Sequence, residues 1–364
     1  MTAIANFEGF DVSTEIYSVV EGHPIETDIL IPKSVPEGHQ CPVIVRIHGG
    51  FLIIGNRGPA WFPSHLLQFA LSKNAIVISP DYRLLPEATG ADILTDICVS
   101  LWEWILNSFP SIVAKAHPGV TPDLTRIMAV GPRIGRGYLA TQLALAHPSP
   151  SPSTNKPGIT ALIPAYPVLD LLNPFFLSGA LSSISKSYTL FGNSAPLSTF
   201  TNFVAAVKAG QKPSVVTDGT FPEPGTYNER EEMGMAAVLH GKLPEMIGLD
   251  DEECFPIERI ERSGTAREDG SVKTIEALPR RVWIYHGSAD HAVPPVGSRR
   301  FVEVVWLVST TIREKLSGKG TEVNYYEDVG EDHGFDAQAR LDSESDGWLR
   351  EGYDWVEVAW LGLE

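Results

Sequence analysis

Cysteine is scarce in this chain: three residues in 364 (Cys41, Cys98 and Cys254), odd in number and widely spaced. That excludes a disulfide framework and fits reduced thiols in a cytosolic setting. Cys41 and Cys98 lie in apolar surroundings and read as core residues. Basic charge is also short, with 28 Lys and Arg against 45 Asp and Glu and a net charge of -17. Such a surface repels nucleic acid and anionic membrane, so neither is expected as a partner. No apolar run reaches the ~18 residues that span a bilayer. The stretch Met1 to Gly9 lacks a basic region followed by an apolar core, so no secretory signal is read and a cytoplasmic protein is expected. His and Cys show no H-E-x-x-H or paired C-x-x-C spacing, so no metal site is expected.

What is present is a core-forming chain with 43% apolar residues. Its length would suit two average domains, but α/β folds of this size are routinely one, and a single domain over 1–364 is expected. Ile16 to Val20 and Ile25 to Ile31 read as a hairpin around Glu21-Gly22-His23-Pro24. Apolar strands follow at Val43 to Ile47, Ala75 to Ser79, Ile127 to Val130, Ile159 to Ile163, Val282 to Tyr285 and Glu322 to Tyr326. Between them, helices are expected at Pro63 to Ser72, Ala91 to Asn107, Arg136 to His147 and Gly297 to Ser317, with a last one from Gly347. This alternation implies a mostly parallel central sheet flanked by helices. Pro148 to Pro157 is a loop by composition. The stretch about 168–278 breaks the rhythm with Phe175-Phe176, Tyr188, Phe191 and Met233-Gly-Met.

The most informative gap lies after the strand Ile127 to Val130. Gly131-Pro132-Arg133-Ile134-Gly135-Arg136-Gly137 leads from strand to helix with the glycine spacing of a nucleophile elbow, G-x-S-x-G. Arg133 stands where that motif has serine, and no Ser or Cys lies between Ile127 and Ala146. The same glycines resemble a dinucleotide loop, but they come late and without an early strand–loop–helix partner. No nucleotide cofactor, and no cofactor of any kind, is expected. Four ordered motifs frame the gap. His48-Gly49-Gly50-Phe51 follows one strand, the turn itself follows another, Gly287-Ser-Ala-Asp290 a third, and Glu331-Asp-His333-Gly a fourth. This set resembles the hormone-sensitive-lipase-like branch of the α/β-hydrolases, most of all fungal members found with secondary-metabolite pathways. The resemblance runs from about Ile16 to the C-terminus. It implies an α/β-hydrolase fold whose stretch about 168–278 forms a helical cap over an apolar pocket, one that the N-terminal segment can join.

The resemblance implies an oxyanion loop at His48, Gly49, Gly50 and Phe51, an acid at Asp290 and a base at His333. His48 would shape the loop, and Phe51 stands where many relatives have a third glycine. Two registers are open at the elbow. One puts Arg133 at the apex; the other, matching Gly137-Tyr138, puts Ile134 there. Neither supplies a nucleophile. Arginine has no accessible neutral form and cannot attack a carbonyl, but it can hold an anion at a helix N-terminus. The Asp290–His333 pair can still move a proton, while N–H groups of Gly49, Gly50 and Ile134 hold a developing oxyanion. That combination favours a cofactor-free, non-hydrolytic enzyme that cyclises or isomerises a small apolar carbonyl compound, with His333, Asp290 and Arg133 as its catalytic group. Two alternatives stay open. One is an esterase or lactonase whose water is activated by His333 or whose serine comes from elsewhere, such as Ser288 or the cap. The other is a non-catalytic binder. A monomer or homodimer is expected. Arg83 and Glu87 read as an ion pair pinning a loop, His286 as a packed strand end, His291 as a rim residue, and Asp332 as a tuning or solvent-facing carboxylate.

Overall fold

The computed structural model describes residues 7–58, 62–132, 136–148, 156–180, 195–220, 228–262, 278–316 and 320–363. The elbow positions Arg133 and Ile134 therefore lie outside the described residues. Strands β1 (Phe10–Val20) and β2 (His23–Pro32) pair as the expected antiparallel hairpin. Its turn is tighter than expected: Glu21 and Gly22 alone take left-handed φ of 52° and 81°, and His23 and Pro24 already pair in β2. Two positive-φ residues give the turn twist that hairpins favour. The chain continues through β3 (Gln40–Arg46), α1 (Ser64–Ser72) and β4 (Ile76–Pro80). The long helix expected from Ala91 is a compound one: α2 (Gly90–Leu94), a π-helical stretch Thr95–Leu101 and α3 (Trp102–Asn107), followed by α4 (Phe109–Ala116). Then come β5 (Thr121–Pro132), α5 (Arg136–Ala146) and β6 (Ile159–Ala165). The stretch that broke the alternation carries α6 (Pro174–Leu177), α7 (Leu197–Lys208), α8 (Glu229–Leu239), α9 (Leu243–Ile247) and α10 (Pro256–Arg262). The alternation resumes with β7 (Arg281–Gly287), α11 (Val296–Leu316), β8 (Glu322–Asp328) and α12 (Gly347–Trp360).

The strands form one eight-stranded sheet in the order β1-β2-β4-β3-β5-β6-β7-β8. From β4 to β8 every pairing is parallel, and the hairpin adds the antiparallel edge. Successive side chains of a strand face opposite sides, and two separate cores result. Val43, Val45, Ile76, Ile78, Ile127 and Ala129 face one core, with the helices from α2 to α5 and the β6–β7 excursion. Ile44, Val77, Met128 and Val130 face the other, under α1 and α12. Burial on both faces is why these strands read as nearly continuous apolar runs. Among the described residues no single helix is long and apolar enough to cross a membrane.

Helix α12 closes the second core by a contact only glycine permits. A Cβ on Gly352 would fall 1.9 Å from the Trp283 ring, which is itself fully buried. Alanine would gain ~1 kcal/mol of helix propensity at an open helix site. Here overpacking dominates, and Gly352→Ala should lower unfolding free energy by about 1–3 kcal/mol. Urea unfolding tests this, and a stabilised variant would show that the helix can step back from Trp283.

Candidate active site

The parallel strands deliver the site loops to one end of the sheet, where open α/β folds place their ligands. β7 and β8 are in full register from Arg281↔Glu322 to Gly287↔Asp328, so their exit loops start side by side. Ser288 N–H donates to the Asp328 carbonyl (2.8 Å) and Ala289 N–H to the Glu331 carbonyl (3.0 Å). Gly287 makes this approach possible, since a Cβ there would lie 2.3 Å from the Glu331 carbonyl oxygen. These ties bring Asp290 and His333 together. His333 Nδ1 lies 2.8 Å from Asp290 Oδ2. With the proton on Nδ1 the ring donates to the carboxylate, and Nε2 becomes the basic nitrogen. The other oxygen, Oδ1, accepts N–H bonds from Ala292 and Val293, both 2.8 Å.

A further partner was not anticipated. His286 is fully buried, and its Nε2 lies 3.2 Å from Asp290 Oδ2 and 2.9 Å from the Val293 carbonyl oxygen. Its Nδ1 lies 2.9 Å from Ser298 Oγ. His286 is a strand-end residue as read, but it also holds the acid. Its position four residues before Asp290, across a turn, was the available signal. Burial by itself would push the Asp290 carboxyl up. The His333 charge opposite it, with hydrogen bonds from His286 and His333, reverses that and holds it well below the usual carboxylate range.

The remaining expected residues sort clearly. His48 is buried and stacks on Tyr82 at 4.1 Å, and the Tyr82 hydroxyl donates to the His48 carbonyl (3.0 Å). These contacts pack His48 against Tyr82 within the loop. Gly50 has φ 112° and could not carry a Cβ, which would meet the Ile54 carbonyl oxygen at 2.1 Å. Gly49 is buried beside it. Phe51 (φ 55°) and Leu52 (φ 65°) are both left-handed, a conformation ordinary side chains rarely adopt. His291 is exposed, with Nδ1 3.3 Å from Asp332 Oδ2 and away from Asp290. Asp332 accepts the His333 N–H at 2.7 Å, so it braces the His333 backbone. The Ser288 hydroxyl accepts the Gly330 N–H (2.8 Å) in the loop behind the site. All three cysteines are free thiols, and burial pushes Cys41 up to about 11 and Cys98 and Cys254 up to about 12. None is a thiolate nucleophile near neutral pH. Among the described residues no group of His, Cys, Asp and Glu is placed to hold a metal ion.

The expected Arg83–Glu87 pair does not form. Arg83 instead grips Asp96 and Asp92 on the compound helix. Glu87, almost fully buried, pairs with Arg230 of α8. Sequence proximity favoured the near partner, whereas the fold turns the two side chains to opposite neighbours. The Arg230 guanidinium also donates to the carbonyls of Leu85 (2.7 Å) and Ile53 (3.3 Å). The glycines Gly55 and Gly219 exchange backbone hydrogen bonds (2.7 and 3.0 Å). Two independent ties thus fasten the His48–Gly55 loop to the β6–β7 excursion. Phe51 and Leu52 of that loop also line an apolar recess, with Tyr138, Val168, Leu171, Leu243 and Ile247.

The fold and the order of its site loops define an α/β-hydrolase-fold protein carrying an acid–histidine pair. A family model described as the alpha/beta hydrolase fold matches residues 44–196. The chain is 27% identical over 347 residues to a probable carboxylesterase, M8, of Phoma sp., covering 94% of each. It is also 26% identical over 376 residues to the non-reducing polyketide synthase Preu6 of Preussia isomera, covering 97% of this chain but 15% of that enzyme. Among solved structures it resembles a thermophilic esterase, Est2, of Thermogutta terrifontis, with a TM-score of 0.54, 21% identity and coverage of 97% and 92%. That likeness establishes the fold.

Two outcomes follow from the geometry. A carboxyl depressed in the folded state adds stability above its unfolded pKa, about 3.9, and that stability is lost as pH falls through the lower folded value. Asp290→Asn should therefore flatten the acid limb of melting temperature below about pH 4, and an unchanged limb would mean the carboxyl is not depressed. Arg230→Met leaves Glu87 buried without its cation and should lower unfolding free energy by about 3 kcal/mol. Adding Glu87→Gln should recover part of that loss, as a denaturant-unfolding cycle would read.

Proposed function

We propose that this chain is a carboxylic ester hydrolase in which His333, oriented by Asp290, activates water directly. The carrying observation is the 2.8 Å His333–Asp290 contact at the carboxyl ends of β7 and β8. The fungal carboxylesterase relative supports ester chemistry, and the match to a polyketide synthase segment supports an apolar, polyketide-like acyl group. The stretch from Ile127 to Ala146 carries no Ser or Cys, so the elbow serine is missing in either register of Arg133 and Ile134. Ser288 is engaged in its own loop and the thiols are protonated, which favours water as the nucleophile over these described residues.

His333 Nε2 takes a proton from water as the oxygen forms its bond to the ester carbonyl carbon. The carbonyl π electrons move to oxygen, and the oxyanion is held by N–H groups of Gly49 and Gly50. Collapse breaks the bond to the leaving oxygen, which takes the proton back from His333. Acid and alcohol result, and no acyl-enzyme forms. The β6–β7 excursion acts as a cap, and its recess beside Phe51 and Leu52 receives the apolar arm of a small substrate. No cofactor takes part.

Hydrolysis of a short-chain aryl ester panel tests the proposal. His333→Ala should lose about 100- to 10,000-fold, and a fluorophosphonate probe should leave the wild type unlabelled. Labelling would reveal a serine nucleophile. Absence of hydrolysis by folded protein would overturn the hydrolase reading. The missing elbow serine favours a second reading, proton abstraction beside a carbonyl in a cyclisation or isomerisation. It predicts His333-dependent exchange of α-protons of a β-keto ester with heavy water.

A further inference from the structure

Behind the acid–base pair lies a second buried polar cluster that the chemistry above does not use. Asp336, 2% exposed, sits three residues after His333 on the short helical turn Phe335–Gln338. Its Oδ1 accepts the Tyr166 hydroxyl at 2.7 Å and its Oδ2 the Tyr285 hydroxyl at 2.9 Å. His65 Nε2 lies 3.2 Å from Oδ2, and His65 Nδ1 lies 2.9 Å from the Tyr353 hydroxyl. The donors come from α1, the end of β6, β7 and α12. All four are buried. Burial, together with the Asp336 charge, pushes the Tyr285 and Tyr353 phenols well up, so both keep their protons.

A buried carboxylate is costly unless fully hydrogen-bonded, and apolar residues would fill such a space as stably. This one lies where the base needs support. Between Asp328 at the end of β8 and His333, residues 329–332 are exposed, and Val329 is 88% exposed. At Gly334 the chain turns left-handed (φ 78°), and Asp336 then enters the core. Tyr166, whose hydroxyl holds Asp336, also sets its ring against the His333 imidazole, with centroids 4.6 Å apart and planes at 73°. Tyr166 is itself at φ 31°, strained for a non-glycine residue, with its N–H donating to the Tyr285 carbonyl at 2.8 Å.

We infer that Tyr166 and Asp336 are positioning residues for His333. Asp290 holds the ring at Nδ1, Tyr166 packs against it from the side, and Asp336 locks both Tyr166 and the loop carrying the base. This rests on the reading of His333 as the base, and the His65 and Tyr353 end of the cluster serves to satisfy Asp336.

The test is Tyr166→Phe, which keeps the ring and removes the hydroxyl, compared with Tyr353→Phe at the far end. The first readout is the downfield proton resonance of the His333 Nδ1–H···Asp290 bond, assigned by its loss in His333→Ala. It should shift or broaden in Tyr166→Phe and stay in place in Tyr353→Phe. The second readout is ester hydrolysis, where kcat should fall about 10- to 100-fold with KM nearly unchanged. Asp336→Asn should reproduce both effects if it folds, and Tyr166→Phe decides the matter if it does not. A folded Tyr166→Phe with wild-type resonance would overturn the inference, as would equal effects in Tyr353→Phe. Should the wild type hydrolyse no ester, the hydrolase proposal fails while the resonance still decides this one.

Discussion

An ionised carboxylate shut away from water has to be solvated by the protein, and Asp290 imposes that demand on the whole carboxyl edge of the sheet. Its Oδ1 takes N–H bonds from Ala292 and Val293, and its Oδ2 lies within reach of His286 and His333. The loop after β7 has to curl so that its own amides meet Oδ1. The loop after β8 has to bring an imidazole to Oδ2. The register of β7 with β8 and the missing side chain at Gly287 allow both at once. Backbone ties bring the two loops together, and without the buried charge His333 would lack the Nδ1 partner that fixes its tautomer.

The opposite wall of the site solves a different problem. Phe51 and Leu52 hold left-handed backbone in succession, at about 1–3 kcal/mol each in ordinary cases, so the oxyanion turn persists only if something over-determines it. Tyr82 and His48 stack beneath it, and the β6–β7 excursion grips it from above through Arg230 and Gly219. The helices of the excursion are therefore also what keeps the turn in shape, and a change in their contacts is felt in the loop.

Much of this was legible in the chain. Strands buried on both faces read as unbroken apolar runs, and glycines mark places where backbones must come close, as at Gly50 and Gly287. Asp290 and His333 stand right after strands, so their meeting at one end of the sheet was readable from local order. Arg83, Glu87 and His286 were harder. Each has a credible neighbour in sequence, yet Glu87 is paired with Arg230, 143 residues away. Asp336 and Tyr166, 170 residues apart, carried no local signal, because a buried hydrogen bond between distant residues leaves no period or spacing behind.

By itself the sequence determined the α/β alternation, the placing of Asp290 and His333 just after strands, and the absence of Ser and Cys from the run Ile127 to Ala146. Those properties reside in single strands and turns, where residue type dictates burial, backbone conformation or chemistry locally. Only the tertiary structure decided which charges meet, which helix braces the oxyanion turn, and what stands behind His333. Ion pairs and buried hydrogen bonds depend on distance in space, and the packing of the two cores against one sheet sets those distances.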